Sequence, residues 1–163
     1  MIKITELQPE NAKRLAELAK PIWEEHYTPI IGAKQVSYML EKFQSETAVL
    51  TQLTEGYRYF EVYDSKQLLG YFAIQLRDSD NLFISKFYLN NQARGRGLGK
   101  AMLQYIEELA ADSGCQHIDL TVNKYNPAYD IYLKLGFVNQ GSAEFDIGEG
   151  YIMDDFLMRK HLV

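Results

Sequence analysis

A single cysteine, Cys115, stands in the whole chain, so no internal disulfide can form, and no Cys/His cluster has zinc-ligand spacing. Cys115 follows Gly114 just before a predicted strand and reads as a buried structural thiol rather than a nucleophile. No apolar run approaches membrane-spanning length, and Met1-Ile2-Lys3-Ile4-Thr5-Glu6 lacks the charged-then-apolar order of a secretion signal. A reducing cytoplasm is therefore the expected setting, with no membrane partner. Basic residues are the minority: 17 Lys and Arg stand against 22 Asp and Glu, for a formal net charge of -5. That balance argues against nucleic acid as a partner, because neutralising phosphates along a duplex takes a broad spread of Lys and Arg. Linkers, low-complexity tracts and repeats are missing too. The 163 residues, 47% of them hydrophobic, are expected to form one domain, 1–163, with enough apolar content for a core.

What the chain does have is concentrated between Asn81 and Ala111. Leu82-Phe83-Ile84-Ser85-Lys86-Phe87-Tyr88-Leu89 is an apolar, aromatic run of strand length closed by Asn90-Asn91. Leu98, Ala101, Met102, Tyr105, Ile106, Leu109 and Ala110 then recur at helical spacing. Between them lies Arg94-Gly95-Arg96-Gly97-Leu98-Gly99-Lys100. Glycines are poor helix formers, so three at alternate positions where a helix begins need another reason. Without Cβ atoms, backbone N–H groups can approach a ligand closely, and a helix start offers unpaired donors and a positive dipole end. From Asn81 to Ile106 the charged residues are Lys86, Arg94, Arg96 and Lys100, with no carboxylate. The pattern predicts a phosphate or pyrophosphate site; the alternative is a plain glycine-rich turn with surface arginines. A nucleotide-triphosphate loop would need Ser or Thr after Lys100, where Ala101 stands, and the dinucleotide fingerprint would need a longer gap than Gly95, Gly97 and Gly99 leave.

At these residues the chain resembles the GCN5-related N-acetyltransferase (GNAT) family. Its acetyl-CoA loop, Gln/Arg-x-x-Gly-x-Gly/Ala, is matched by Arg94, Gly97 and Gly99. The resemblance implies that the backbone from Arg94 through Gly95, Arg96, Gly97, Leu98 and Gly99 to Lys100 holds the CoA pyrophosphate. It also implies that Phe87, Tyr88 and Leu89 form the strand along which pantetheine pairs, through the main chain of Phe87 and Leu89. The implied fold is α/β (α+β), a mixed, mostly antiparallel twisted sheet of about seven strands, splayed between a central parallel pair and flanked by helices.

The order of elements agrees. Ile2 to Leu7 reads as a strand and Glu10 to Lys20 as a helix that Pro21 must break or restart, leaving Ile22 to Tyr27 a separate turn or irregular arm. Ala33 to Gln44 and Glu46 to Leu53 read as helices, and Tyr57 to Asp64 and Leu68 to Arg77 as a hairpin. Asp78-Ser79-Asp80-Asn81 turns into the strand described above. His117 to Val122 follows the long helix as a parallel neighbour. A short helix, Ala128 to Leu135, and a final hairpin of Phe137 to Ile147 and Tyr151 to Lys160 complete the chain.

Asn126, Ala128, Tyr132 and Leu135-Gly136-Phe137 resemble the family's second motif, although Asn126 lies one residue closer to Tyr132 than its usual spacing. By that resemblance Tyr132 is the catalytic acid that protonates the departing CoA thiolate, and Asn123, Asn126 and Tyr129 belong to the cofactor side. A phenol with a pKa of about 10 keeps its proton at neutral pH. Many relatives carry a glutamate base on the strand before the glycine loop; here that strand offers only Ser85 and Lys86. Glu24, Glu25, His26, Asp154 and Asp155 remain open as bases. A run from Gln140 to Asp155 holds Glu144, Asp146, Glu149, Asp154 and Asp155 without a Lys or Arg, which suits a cationic acceptor. Trp23, Glu24, Tyr27, Asp154 and Asp155 are the candidate acceptor-binding residues. The expected partners are acetyl-CoA as co-substrate and a small-molecule amine or peptide acceptor, with no metal and with a homodimer possible by analogy to relatives. The rival is an acyl-CoA-binding regulatory module without turnover.

Overall fold

The computed structural model describes residues 1–78 and 80–162, so Ser79 of the expected Asp78–Asn81 turn lies outside the described residues. The chain runs β1 (Ile2–Glu6), a 3-10 turn (Pro9–Asn11), α1 (Ala12–Ile31), α2 (Ala33–Met39), a π-helical turn (Leu40–Gln44), α3 (Glu46–Thr54), β2 (Tyr57–Asp64) and β3 (Gln67–Arg77). It continues through β4 (Asn81–Leu89), a 3-10 turn (Asn91–Ala93), α4 (Leu98–Asp112), β5 (His117–Asn123), α5 (Ala128–Lys134), β6 (Val138–Gly148) and β7 (Tyr151–His161). The strands are hydrogen-bonded in the order β1-β2-β3-β4-β5-β7-β6. The β4–β5 ladder is parallel, pairing Asn81–Ile84 with His117–Leu120; β4 runs on to Leu89 and β5 to Asn123 beyond its last pair.

The chain divides into two compact units, residues 1–75 with 86–106, and 76–85 with the remainder from 107. In the first, the alternation of β2 sends Tyr59 and Glu61 to one face and Phe60 and Val62 to the other. Tyr59, Tyr71 and Ala73 pack under Leu7, Ala12, Leu15, Ala19, Ile22 and Val49. On the opposite face Phe60 stacks on its cross-strand partner Phe72 at 4.9 Å, and Tyr105 of α4 meets both rings edge-on at 5.4 and 6.0 Å. Each fully buried ring contributes on the order of 2 kcal/mol, which makes this aromatic sandwich a main anchor of α4.

Pro21 does not break α1, contrary to the sequence expectation: the helix runs unbroken from Ala12 to Ile31, with Pro21 and Pro29 inside it. Its buried stripe, Ala12, Leu15, Ala19, Ile22 and Trp23, passes across Pro21, which itself faces solvent. Packing of a continuous apolar face outweighs one missing backbone bond. The expected helix Ala33 to Gln44 also differs, turning π-helical from Leu40.

In the second unit Ile118, Leu120 and Val122 of β5 point inward, and Asp119 takes a two-pronged bond from Arg159, its cross-strand partner, at 2.7 and 3.0 Å. Lys160 Nζ donates to the Leu135 carbonyl at 2.7 Å and to Glu107 at 2.8 Å, tying down the end of α5. Cys115 is buried, and burial pushes its thiol pKa up.

A buried carboxylate fixes α1 on the sheet. Glu61, 3% exposed, accepts from Arg14 Nε at 3.0 Å and from its Nη2 at 2.7 Å. Arg14→Ala leaves Glu61 buried without its cation and is expected to cost roughly 1–3 kcal/mol, read by urea denaturation. A loss under about 0.5 kcal/mol would show that α1 docks on apolar contact alone.

Candidate active site

The glycine stretch forms an exposed turn held at both ends. Ala93 and Leu98 are each 1% exposed, whereas Arg94 to Gly97 face solvent. Gly95 and Gly97 have φ of 80° and 75°, a backbone shape that side chains disfavour, and the space a side chain would fill is open at both. The first bond of α4 runs from Ala101 N–H to the Gly97 carbonyl at 3.1 Å, so the N–H groups of Leu98, Gly99 and Lys100 lack a partner inside the helix. The turn is less purely basic than its sequence: Asp64, at the end of β2, lies 3.5 Å from Arg96. Asp64 also bonds the N-terminal amine at 3.1 Å, and these cations hold its carboxyl below the usual range, the amine foremost.

Immediately upstream, Phe87, Tyr88 and Leu89 end β4, and the α1 arm rests on Tyr88. Trp23, 3% exposed, lies 4.3 Å from the Tyr27 ring and 5.5 Å from the Tyr88 ring. Glu24 is exposed and pairs with Lys20 at 2.9 Å. Glu25 is also exposed, and His26 sits edge-on to Tyr27 at 4.7 Å. The first unit therefore brings together the turn, the strand and the arm.

The second unit gathers the other predicted residues around α5. Tyr132 is half-buried, with its ring 5.7 Å from that of Phe137, whose N–H donates to the Tyr132 carbonyl at 3.0 Å. Asn126 is 6% exposed and its Oδ1 accepts from Ala128 N–H at 2.9 Å, while Asn123 Oδ1 accepts from Tyr125 N–H at 2.9 Å. Both side chains shape the entry to α5. Tyr129 packs on Phe156 at 4.8 Å and its hydroxyl accepts from Asn139 at 3.2 Å. Asp154 forms an ion pair with Lys124 at 2.8 Å, a partner that the Gln140–Asp155 segment does not contain. Asp155 is 2% exposed, and its burial, opposed by a hydrogen bond with Thr121 and reinforced by Asp154, raises its pKa to about 6.

With this geometry in place, residues 13–137 match the model of the Acetyltransferase (GNAT) family. The chain belongs to the GNAT family. Among curated relatives, thialysine N-epsilon-acetyltransferase of Bos taurus is 31% identical over 77 residues, 47% of this GNAT chain and 45% of the relative. The chain thus aligns with about half the length of that relative. An uncharacterised N-acetyltransferase of Lactobacillus delbrueckii subsp. lactis, encoded in the pepI 3' region, is 22% identical over 99% of this chain and 98% of its own. In fold, PaiA N-acetyltransferase from Thermoplasma acidophilum, solved in complex with coenzyme A, superposes with a TM-score of 0.83 at 20% identity, covering 99% of each chain. A GCN5-related N-acetyltransferase from Rhodopseudomonas palustris gives 0.82 at 19% identity, covering 98% of this chain and 95% of its own. Among the described residues, no helix is long and apolar enough to cross a membrane.

The residues of this GNAT chain fit the diphosphate of CoA, because the turn is exposed, open at Gly95 and Gly97, and headed by helix-start donors. Sequence reasoning counted Lys86 among the cations of the phosphate site, whereas the structure encloses it in the core. Alternation along β4 buries Leu82, Ile84 and then Lys86, and Lys86 is 6% exposed. Its Nζ donates to the Phe43 carbonyl, to Gln52 Oε1 at 3.0 Å and to the Tyr59 hydroxyl, which itself donates to Gln52. The signal was present in the period-two pattern, which puts position 86 on the core face.

Burial pushes the Lys86 pKa down to about 7. As an ammonium it donates to all three oxygens; as an amine it donates to two and accepts from Tyr59, so either form is satisfied. An unfolded lysine keeps its proton to about pH 10.4, so between about 7 and 10 the unfolded state binds more protons and stability rises with pH. We expect unfolding free energy to climb across that window by up to about 1.4 kcal/mol per pH unit, and the slope to vanish in Lys86→Met. An equal slope in both proteins would place the titration elsewhere.

Proposed function

We propose that the chain transfers the acetyl group of acetyl-CoA to a primary amine, a small polyamine-like or aminoalkyl molecule or a peptide N-terminus, by direct attack. The observation that carries this reading is the exposed turn Arg94–Gly97, open at Gly95 and Gly97 and set between buried Ala93 and Leu98, at the start of α4. Backbone donors there hold the diphosphate, and the main chain of Phe87 and Leu89 takes pantetheine. A neutral amine then attacks the thioester carbon. A backbone N–H near Leu89 or Phe87 stabilises the oxyanion, the C–S bond breaks, and the Tyr132 hydroxyl gives its proton to the thiolate. The proton released from nitrogen passes to solvent or to a base.

Relatives lend support to an aminoalkyl acceptor, since the partial relative from Bos taurus acts, by its name, on the side-chain amine of thialysine. We place acceptor contacts on the α1 arm, at Trp23, Glu24 and Tyr27. Asp154 already has Lys124 as a counter-ion, and the raised pKa of Asp155 weakens it as an anion near pH 6. The exposed pair of Glu24 with Lys20 is worth under about 1 kcal/mol and exchanges readily for an incoming ammonium. A cytoplasmic setting suits the lone buried thiol.

One observation favours the rival reading of an acyl-CoA-binding module: the upstream strand carries no carboxylate, and its lysine, Lys86, is enclosed in the core. Thiol release from acetyl-CoA over a panel of primary amines separates the two, turnover supporting the enzyme and binding without turnover the module. Tyr132→Phe is expected to lower kcat about 100-fold while leaving the CoA dissociation constant within about twofold; undiminished turnover assigns the acid to another group. Gly97→Val is expected to abolish CoA binding by calorimetry with the fold intact by circular dichroism, and unchanged affinity would remove the turn from the site.

A further inference from the structure

Gly70, on β3, lies against the end of β4, the neighbouring strand that we assign to the cofactor. Its φ lies outside the left-handed region, so backbone shape does not call for glycine there. Space does. A Cβ at position 70 would stand 2.6 Å from the Tyr88 carbonyl oxygen and 2.6 Å from Leu89 Cδ2. Side chains swing aside at small cost, but a carbonyl inside a hydrogen-bonded strand does not. The strands are pinned at this level, since Asn90 N–H donates to the Leu69 carbonyl at 2.7 Å.

We infer that Gly70 is a positioning residue for acetyl-CoA: its missing side chain lets the Tyr88–Leu89 peptide sit where its main-chain groups meet pantetheine and the thioester oxygen. This rests on the reading of β4 and the glycine turn as the acetyl-CoA site. Any side chain at position 70 pushes that peptide away from β3, while the Arg94–Gly97 turn keeps its own shape. The variant should therefore lose grip on the pantetheine arm and retain it on the diphosphate.

The test is calorimetry of wild type and Gly70→Ala with CoA and with 3′-phospho-ADP, which carries the diphosphate without pantetheine, together with steady-state kinetics in acetyl-CoA. The expected result is a CoA affinity at least tenfold weaker in Gly70→Ala, 3′-phospho-ADP affinity within about twofold of wild type, and a raised KM with a lowered kcat. A general loss of fold would weaken both ligands alike. Adding Leu89→Ala removes the side-chain clash but leaves the carbonyl, so Gly70→Ala/Leu89→Ala should stay at least tenfold below Leu89→Ala alone. That second pair also carries the comparison if Gly70→Ala does not fold by itself. Wild-type binding with equal CoA affinity in Gly70→Ala, or full recovery in the double variant, overturns the inference while the acetyltransferase reading stands. Failure of wild type to bind either ligand overturns both.

Discussion

The arrangement rests on a conflict at the start of α4, where backbone N–H groups must be left unpaired and yet held still. An ordinary helix start satisfies its orphan donors with a capping side chain. Here Gly97 precedes the helix, with a positive φ that most residues resist and no side chain of its own to cap the donors of Leu98, Gly99 and Lys100. What holds the turn in place is burial on either side: Ala93 closes the chain coming from β4, Leu98 anchors the first turn of α4, and Tyr105 locks the helix onto Phe60 and Phe72. The turn is held because its flanks are packed, and open because Gly95 and Gly97 have no side chains.

The same economy appears in the strand that leads to it. β4 carries a lysine where its core-facing alternation calls for an apolar residue, and the cost of burying that amine is offset by three oxygens from β2, α3 and the π-helical turn. Those contacts tie α3 and the π-helical turn to β4 one residue before the segment that we assign to pantetheine. Trp23 and Tyr27 press on Tyr88 from the side of α1, and Gly70 admits the Tyr88 carbonyl from the side of β3. The position of the Phe87–Leu89 main chain is thus set by neighbours on both sides.

Much of this was legible in the sequence because it is local. Glycines at alternate positions before an amphipathic helix, the alternation of β5 and the Leu135-Gly136-Phe137 ending of α5 each announce themselves within a few residues, and β5 and α5 fell within a residue of expectation. What could not be read depends on distant partners. Pro21 looked like a break because the lost hydrogen bond is local, while the stripe from Ala12 to Trp23 that keeps α1 whole gains its energy from the sheet. Asp64 beside Arg96 and Lys124 beside Asp154 come from other elements, so counting charges along a segment overstated both the basic turn and the acidic hairpin. Lys86 and Gly70 are intermediate cases. Period-two alternation marks position 86 as inward, but what meets its Nζ, and what approaches Gly70, are facts of strand pairing.

The central claim is that main-chain donors at the start of α4 hold the diphosphate of CoA. It is tested most directly by following backbone amides in a nitrogen-15-labelled sample during titration with CoA. The account predicts saturable shifts concentrated at Gly95 to Lys100 and at Phe87 and Leu89. Saturable binding that leaves those amides unmoved while others respond would contradict it.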